Sequence, residues 1–413
     1  MTAIAGLRAD IERIYHAALE AVNGRIAVAR ALREGVVPKG PFYLVAVGKA
    51  ATAMAHGLAD ERGGDVMDAL VVTRAGYEDP ELGERLPGRT ITAPHPIPDG
   101  RSLEAGEALV GFIEQAPANG RFVFLVSGGA SSLVERLAPG MDAAALARLN
   151  RWLLASGLDI GRMNRLRKAF STIKGGRLAQ WLAGRRADVL LISDVPGDAP
   201  AMIGSGLLFA DDAPPLTDAE LAALPEGLVP ASPGPATPAP SVSGHVVASN
   251  AAAVEAAAER ARSLGFAVTC PGRFLDGEAR ALGASLAETL INAPDCLHVW
   301  GGEPTVTLPE QPGRGGRMQA LALAAAQRLA DRPAVLLAAG TDGADGPGED
   351  AGALVDGHTL YRGHRAGLDD EYTLDAADSG RFLAASGDLI RTGGTGTNVM
   401  DLVIGYYGSK GTG

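Results

Sequence analysis

Apolar positions along this chain alternate between two textures. Over Ile4–Arg33 they recur at Ile11, Ile14, Tyr15, Ala18, Leu19, Val22 and Ile26, the one-sided spacing of an amphipathic helix. Short unbroken apolar runs come next. Phe42–Gly48 predicts a buried strand, and the residues after it a helix. Asp68–Thr73 and Arg89–Pro94 predict two more strands, Ser102–Ala116 a helix, and Arg121–Gly129 a fourth strand. Met141–Ala183 reads as a long helical zone broken near Gly157–Gly161, followed by a strand at Asp188–Asp194. Strands of this kind alternating with helices predict a parallel sheet covered on both faces. From Asp211 to Gly244 the texture changes. Five prolines between Pro230 and Pro240 can join neither a helix nor a sheet interior, so an extended inter-domain connection is expected there. The alternation then resumes. His245–Ser249 predicts a strand leading into an alanine-rich helix. Cys296–Gly302 and Pro304–Leu308 predict a strand pair, Gly316–Ala330 a helix, and Ala334–Gly343 a strand with a glycine-rich end.

Length and charge narrow the possibilities. A chain of 413 residues is long enough for two domains. The net charge of −11 argues against a nucleic-acid partner, which requires a basic footprint. No apolar run reaches the length of a membrane span, and charged residues interrupt the N-terminus too early for a signal peptide, so the cytoplasm is the expected compartment. Cys270 and Cys296 form no metal-ligand spacing and read as free thiols. Among 37 basic residues only five are lysine, at positions 39, 49, 168, 174 and 410. In a chain that has drifted to arginine, a retained lysine points to a place where a compact ammonium is needed.

Polar residues collect where predicted strands end: Gly48-Lys49, Ser127–Gly129, Ser193-Asp194, Ser249-Asn250, Gly301–Glu303 and Thr341–Gly343. Parallel α/β sheets bind ligands at those ends. In the stretch Ser127, Gly128, Gly129, Ala130, Ser131, Ser132, the glycines let backbone N–H groups approach an anion, and the serines can cap the helix that follows. Gly161–Ala179 gathers Arg162, Arg165, Arg167, Lys168, Lys174 and Arg177 with almost no local carboxylates, which favours phosphate docking over a solvated face. Asp194 and Asp198 flank a Pro-Gly turn. Asp342, Asp345 and Asp350 lie on glycine-rich turns. Such carboxylates either hold Mg²⁺ or make Asx turns. Arg317 opens a helix after flexible glycines, as an arginine closing on a phosphoryl group does.

Three signatures are missing: the P-loop G-x-x-x-x-G-K-[ST], the dinucleotide G-x-G-x-x-G after a strand, and the G-x-S-x-G nucleophile elbow. The motifs present are VGKAATAMA, HPIPDGRS, LVSGGASSLVE, NRLRKAFSTIKGGRLA, LISDVPGD, GGEPTVTL, GRGGRMQALALA, GTDGADGP and GDLIRTGGTGTNVMDL. In this order they resemble the glycerate 2-kinase family that ends in a MOFRL domain. The resemblance implies a two-domain α/β enzyme. A Rossmann-like parallel-sheet domain would span 36–235 and a smaller MOFRL-type α/β domain 244–413, with the helix 4–33 packing on it and the active site in the cleft. It implies ATP, Mg²⁺ and D-glycerate as ligands and 2-phosphoglycerate as product, with Lys49 and Arg317 at the positions of the family's essential lysine and arginine. Leu207, Leu208, Pro304, Met318, Ala320, Gly394 and Ala169 depart from the family's usual residues and bear on substrate identity more than on reaction type.

The mechanism expected from this reading sets the glycerate carboxylate against the Ser127–Ser132 amides. Lys49 and Arg317 neutralise the transferring phosphoryl group, and Asp194 takes or orients the proton of the attacking hydroxyl. Asp198 or Asp342 steadies the metal. Arg167, Lys168, Lys174, Asn250 and Glu303 complete the substrate and phosphate contacts. A monomer or homodimer acting on small molecules is expected. The rival readings are a hydroxypyruvate reductase, which would need a nicotinamide site, and a non-catalytic protein that binds a small organic acid.

Overall fold

The computed structural model describes residues 2–158, 160–214, 216–231 and 241–408. The chain divides into two compact units, Gly24–Val247 and Met1–Asn23 with Ala248–Gly413.

The first unit is built on a six-stranded sheet. Its strands are β1 (Phe42–Val47), β2 (Val66–Arg74), β3 (Arg89–Ala93), β4 (Phe122–Val126), β5 (Ala187–Ile192) and β6 (Val242–Ala248), in the order β3-β2-β1-β4-β5-β6. The pairings among β1 to β5 are all parallel; Val45, for example, stands between Leu70 and Phe124. β4 and β5 are buried along their whole length because helices cover both faces, as their unbroken apolar runs require. This is the Rossmann strand order, and the direction of winding reverses between β1 and β4. The helices Ala143–Ala155 and Ile160–Phe170 add a satellite layer with its own apolar cluster, Leu149, Leu153, Leu166 and Phe170 among its members.

The proline-rich stretch does not simply join two domains. β6 follows it and belongs to the first sheet, where the Ser241 carbonyl accepts from Ala187 N–H. The prolines themselves fall mostly at 233–240, outside the described residues.

The second unit carries a mixed sheet: β7 (Ala267–Thr269), β8 (Cys296–Gly302), β9 (Ala334–Gly340), β10 (Gly352–Asp356), β11 (Leu389–Ile390) and β12 (Asp401–Tyr407), in the order β11-β10-β9-β12-β8-β7. Only β7 and β8 run parallel. The pairing expected between Cys296–Gly302 and Pro304–Leu308 is absent. β8 pairs with β12 instead, and only Thr305 of the latter segment makes an isolated bridge, to Glu278. β12 lies about a hundred residues beyond β8, so no local pattern shows this pairing. The single helix expected over Ile4–Arg33 is two, Thr2–Val22 and Gly24–Arg33, interrupted at Asn23. The first packs on the helix Asn250–Ser263 of the second unit, and the second packs on the helix Ala51–Arg62 of the first. Asn23 spends its side-chain amide on the Thr395 carbonyl, 2.8 Å away. No described helix is long and apolar enough to cross a membrane.

Candidate active site

At the reversal point of the first sheet, the ends of β1 and β4 are knitted together. Lys49 N–H donates to the Gly128 carbonyl at 2.9 Å, and Ala50 N–H to Ser127 Oγ at 3.0 Å. The approach demands glycine at position 48. Its φ is +136°, and a Cβ there would collide with Ser127 Oγ. Gly129, also left-handed, leaves room for its neighbours: a Cβ there would meet the His95 ring at 2.9 Å and Lys49 Cγ at 3.2 Å. The half-buried Lys49 side chain thus runs past the glycine turn beside His95.

The capping expected of Ser131 and Ser132 does not occur. The helix after the turn is the single turn Ala130–Leu133, capped by Gly129 without a side-chain bond. Ser131 Oγ pairs with Ser205 Oγ at 2.7 Å, and Ser132 Oγ donates to the Gly129 carbonyl. A helix this short carries little macrodipole, so the charge that could meet an anion must come from side chains.

A pocket of about 250 Å³ opens beside this turn, lined in part by His95, Gly129, Ser131, Asn150, Arg167 and Asp194. Asp194 follows the carboxyl end of β5. The basic block contributes less free charge than its sequence promises. Lys174 is buried against Glu135, Nζ to Oε2 at 2.5 Å, and Lys168 donates to Asp211 at 2.5 Å and to the Ala201 carbonyl at 3.0 Å. Arg165 pairs with Glu220, and one Arg177 nitrogen donates to the Lys168, Ser171 and Lys174 carbonyls. The expectation of a block short of carboxylates is therefore corrected. Glu135, Asp211 and Glu220 arrive from elsewhere in the chain. Arg167 differs: it reaches the Asn164 side chain at 3.3 Å and has no ion-pair partner among the described residues. Burial works against its charge and lowers its pKa. Ala130 is buried under the turn, and Asp198 sits beyond Pro196-Gly197 with a left-handed φ of +54°.

In the second unit the antiparallel register creates a different arrangement. Asp401, the first residue of β12, stands opposite Gly302 at the end of β8 and Gly340 at the end of β9. Asp401 accepts from Arg317 Nε at 2.7 Å, and Glu303, just past β8, accepts from Arg317 Nη1 at 3.2 Å. Asp345 takes the N–H groups of Met318 and Gln319 at 3.0 and 2.8 Å, so it caps the helix Arg317–Leu329 from a distant loop. Burial pushes Asp401 up to about 7, against the pull of Arg317, and Asp345 up to about 6. Asn250 commits its side-chain amide to the Val399 and Asp401 carbonyls, and Asp342 accepts from Ala344 N–H at 3.1 Å, an Asx turn. Asp350 is buried between Arg314 and Arg391.

Four residues escape the sequence reading. Asn150 and Asn164 are polar residues within helices, His95 precedes a proline, and Asp401 ends an otherwise glycine-rich stretch. For Asn150 a signal was present: it occupies the apolar stripe of its helix, with Leu146, Leu149 and Leu153.

Residues 10–223 match a domain family of unknown function (DUF4147), and residues 296–401 match the MOFRL family. A protein from Agrobacterium vitis with a provisional hydroxypyruvate reductase name is 38% identical, the alignment covering 96% of this chain and 93% of that one. The glycerate 2-kinase of Pyrococcus horikoshii is 35% identical, with 90% and 88% covered. The crystal structure of glycerate kinase from Thermotoga maritima superposes with a TM-score of 0.85 at 31% identity, covering 98% of this chain and all of that one. With both domains matched and kinases aligned over nearly their whole length, the chain belongs to the glycerate 2-kinase family.

Proposed function

We propose that this protein transfers the γ-phosphoryl group of ATP to the 2-hydroxyl of D-glycerate, releasing ADP and 2-phosphoglycerate. The observation that carries the reading is the pocket beside the β1–β4 reversal. At about 250 Å³ it is smaller than the roughly 300–1,000 Å³ of sites for drug-sized ligands. It suits an acid of a few heavy atoms, and its wall offers both an unneutralised cation, Arg167, and a carboxylate, Asp194.

In this mechanism the hydroxyl oxygen attacks phosphorus as the bond to the ADP oxygen breaks. Asp194 receives or orients the departing proton. Lys49 neutralises charge on the transferring oxygens, and Arg317 is assigned the same electrostatic task. Positioning and charge stabilisation supply most of the catalysis in such reactions, so no covalent nucleophile is required. The Gly128–Ser132 turn and Arg167 receive the carboxylate. Lys168 and Lys174, each tied to a carboxylate, hold the walls in place.

Mg²⁺ belongs to the proposal too. No group of three potential ligands stands together among the described residues. Mg²⁺ is usually held by one or two protein oxygens, with phosphate oxygens completing its shell. Asp198 and Asp342 are the candidates, and the ion would offset charge on the nucleotide phosphates.

The test measures ADP release with ATP, Mg²⁺ and D-glycerate, beside L-glycerate and hydroxypyruvate, and NADH oxidation with hydroxypyruvate. ADP release with D-glycerate alone is expected. Hydroxypyruvate-dependent NADH oxidation without kinase turnover would overturn the reading. The missing dinucleotide fingerprint argues against that outcome.

A further inference from the structure

Asn150 lies on the inward face of the helix Ala143–Ala155 and is only 7% exposed. Its Nδ2 has no hydrogen-bond partner among the described residues. Native structures rarely leave a buried donor unmet, because it loses its water without a replacement. The same side chain lines the pocket beside Arg167 and Asp194, and rotation about its broad terminal torsion turns the buried donor toward that cavity.

The chemistry of that wall is divided. Lys174 and Glu135 neutralise each other, and Ser131 is bonded to Ser205. The side-chain nitrogens left over, on Asn150, Asn164 and Arg167, all come from the helical layer. Asp194 comes from the end of β5, on the sheet side. A small hydroxy acid has a matching division, an acceptor-only carboxylate at one end and a hydroxyl proton to give at the other.

We propose that Asn150 is a substrate-binding residue whose Nδ2–H donates to the carboxylate of the bound hydroxy acid. The helical layer is then the element that recognises the acid. The inference rests on the reading of this pocket as the glycerate site. A carboxylate offers about four lone-pair positions, so it can accept from Asn150, Arg167 and a backbone amide together. Leu146 and Leu149, on the same helix face, give the pocket an apolar side that offers nothing to a further charged group.

The test compares wild type with Asn150→Leu, which keeps the branched shape and removes the donor. KM for D-glycerate is expected to rise about 10- to 100-fold, the range for a hydrogen bond to a charged oxygen, while KM for ATP stays put. The rise in Tm that D-glycerate gives the wild type should shrink in the variant. The unliganded variant should melt no lower than wild type, since an unmet donor has been removed. Asn150→Asp, which sets a carboxylate against the acid, should lose more. A wild-type KM and Tm response in Asn150→Leu would overturn the proposal. So would a lowered unliganded Tm with equal losses in KM for both substrates, the mark of a purely structural amide. Should Asn150→Leu fail to fold, Asn150→Ala is judged by the same criteria. A wild type with neither turnover nor a Tm response to D-glycerate would remove the underlying reading and this inference together. A responsive wild type with an unchanged variant would remove only the inference.

Discussion

In the first unit Arg167 lines a pocket that also holds Asp194 and Glu135 yet makes no ion pair among the described residues, whereas in the second Arg317 is gripped by Asp401 and Glu303. The contrast follows from strand direction. A parallel sheet sends its carboxyl ends to one side, so the loops after β1, β4 and β5 gather small and polar residues around a common opening. A mixed sheet brings the start of one strand beside the ends of its neighbours. Asp401 therefore meets the β8 and β9 termini, and charge is balanced within the protein. On the proposed reading, one unit keeps a cation for a ligand. The other fixes the geometry of its arginine before any ligand arrives.

The sharpest way to break this comparison is at the two cations assigned to phosphoryl transfer. Arg317→Ala should lower kcat by about a thousand-fold, the low end of the range for an arginine that neutralises a transferring phosphoryl group. Arg317→Lys should recover little, because a point charge cannot span two carboxylates. Removing Arg317 ought not to unfold the protein at pH 6. Asp401 already sits near neutrality and can take a proton instead of remaining an unpaired buried charge. Lys49→Ala should cost roughly 3 kcal/mol in transition-state stabilisation, about a hundredfold in kcat/KM. Near-normal turnover from either folded variant would remove that residue from the mechanism.

Much of the first unit is legible in the sequence because its central strands are short apolar runs that end in glycine or serine. The turn at Gly128-Gly129 and the position of Lys49 can be read from the same pattern. The basic block is where local reading fails. Lys168, Lys174 and Arg165 look unneutralised only because Asp211, Glu135 and Glu220 lie far along the chain. Asp401 is hidden for a related reason, since its importance comes from a register among strands that no local periodicity specifies. Asn150 is hidden by its surroundings: one polar residue in an apolar stripe reads as a tolerated interruption until the cavity beside it is known.

A pH titration sharpens the same comparison. Burial raises the folded-state pKa of Asp401 to about 7, well above the ordinary aspartate value. Between those two values the folded state binds more protons than the unfolded one, so this group's contribution to stability declines as pH rises from about 4 to about 7. Asp401→Asn cannot titrate. Its stability relative to wild type should therefore increase across that window, by on the order of a few kcal/mol in total, as read by denaturant melts. A constant difference from pH 4 to pH 8 would mean that Arg317 holds the carboxylate ionised throughout.

The smallest effect is expected at Ser131, in the motif that the sequence marks most strongly. Its hydroxyl is already committed to Ser205 at 2.7 Å, so it is ill placed to serve a ligand without giving up that bond. Ser131→Ala should remove one hydrogen bond, about 1 kcal/mol of stability, and leave KM for glycerate within a few-fold of wild type. A tenfold or larger rise in KM with an unchanged melting temperature would reverse the assignment. It would show that the Ser131–Ser205 pair opens to take the acid, and that the glycine turn contributes side chains as well as backbone to recognition.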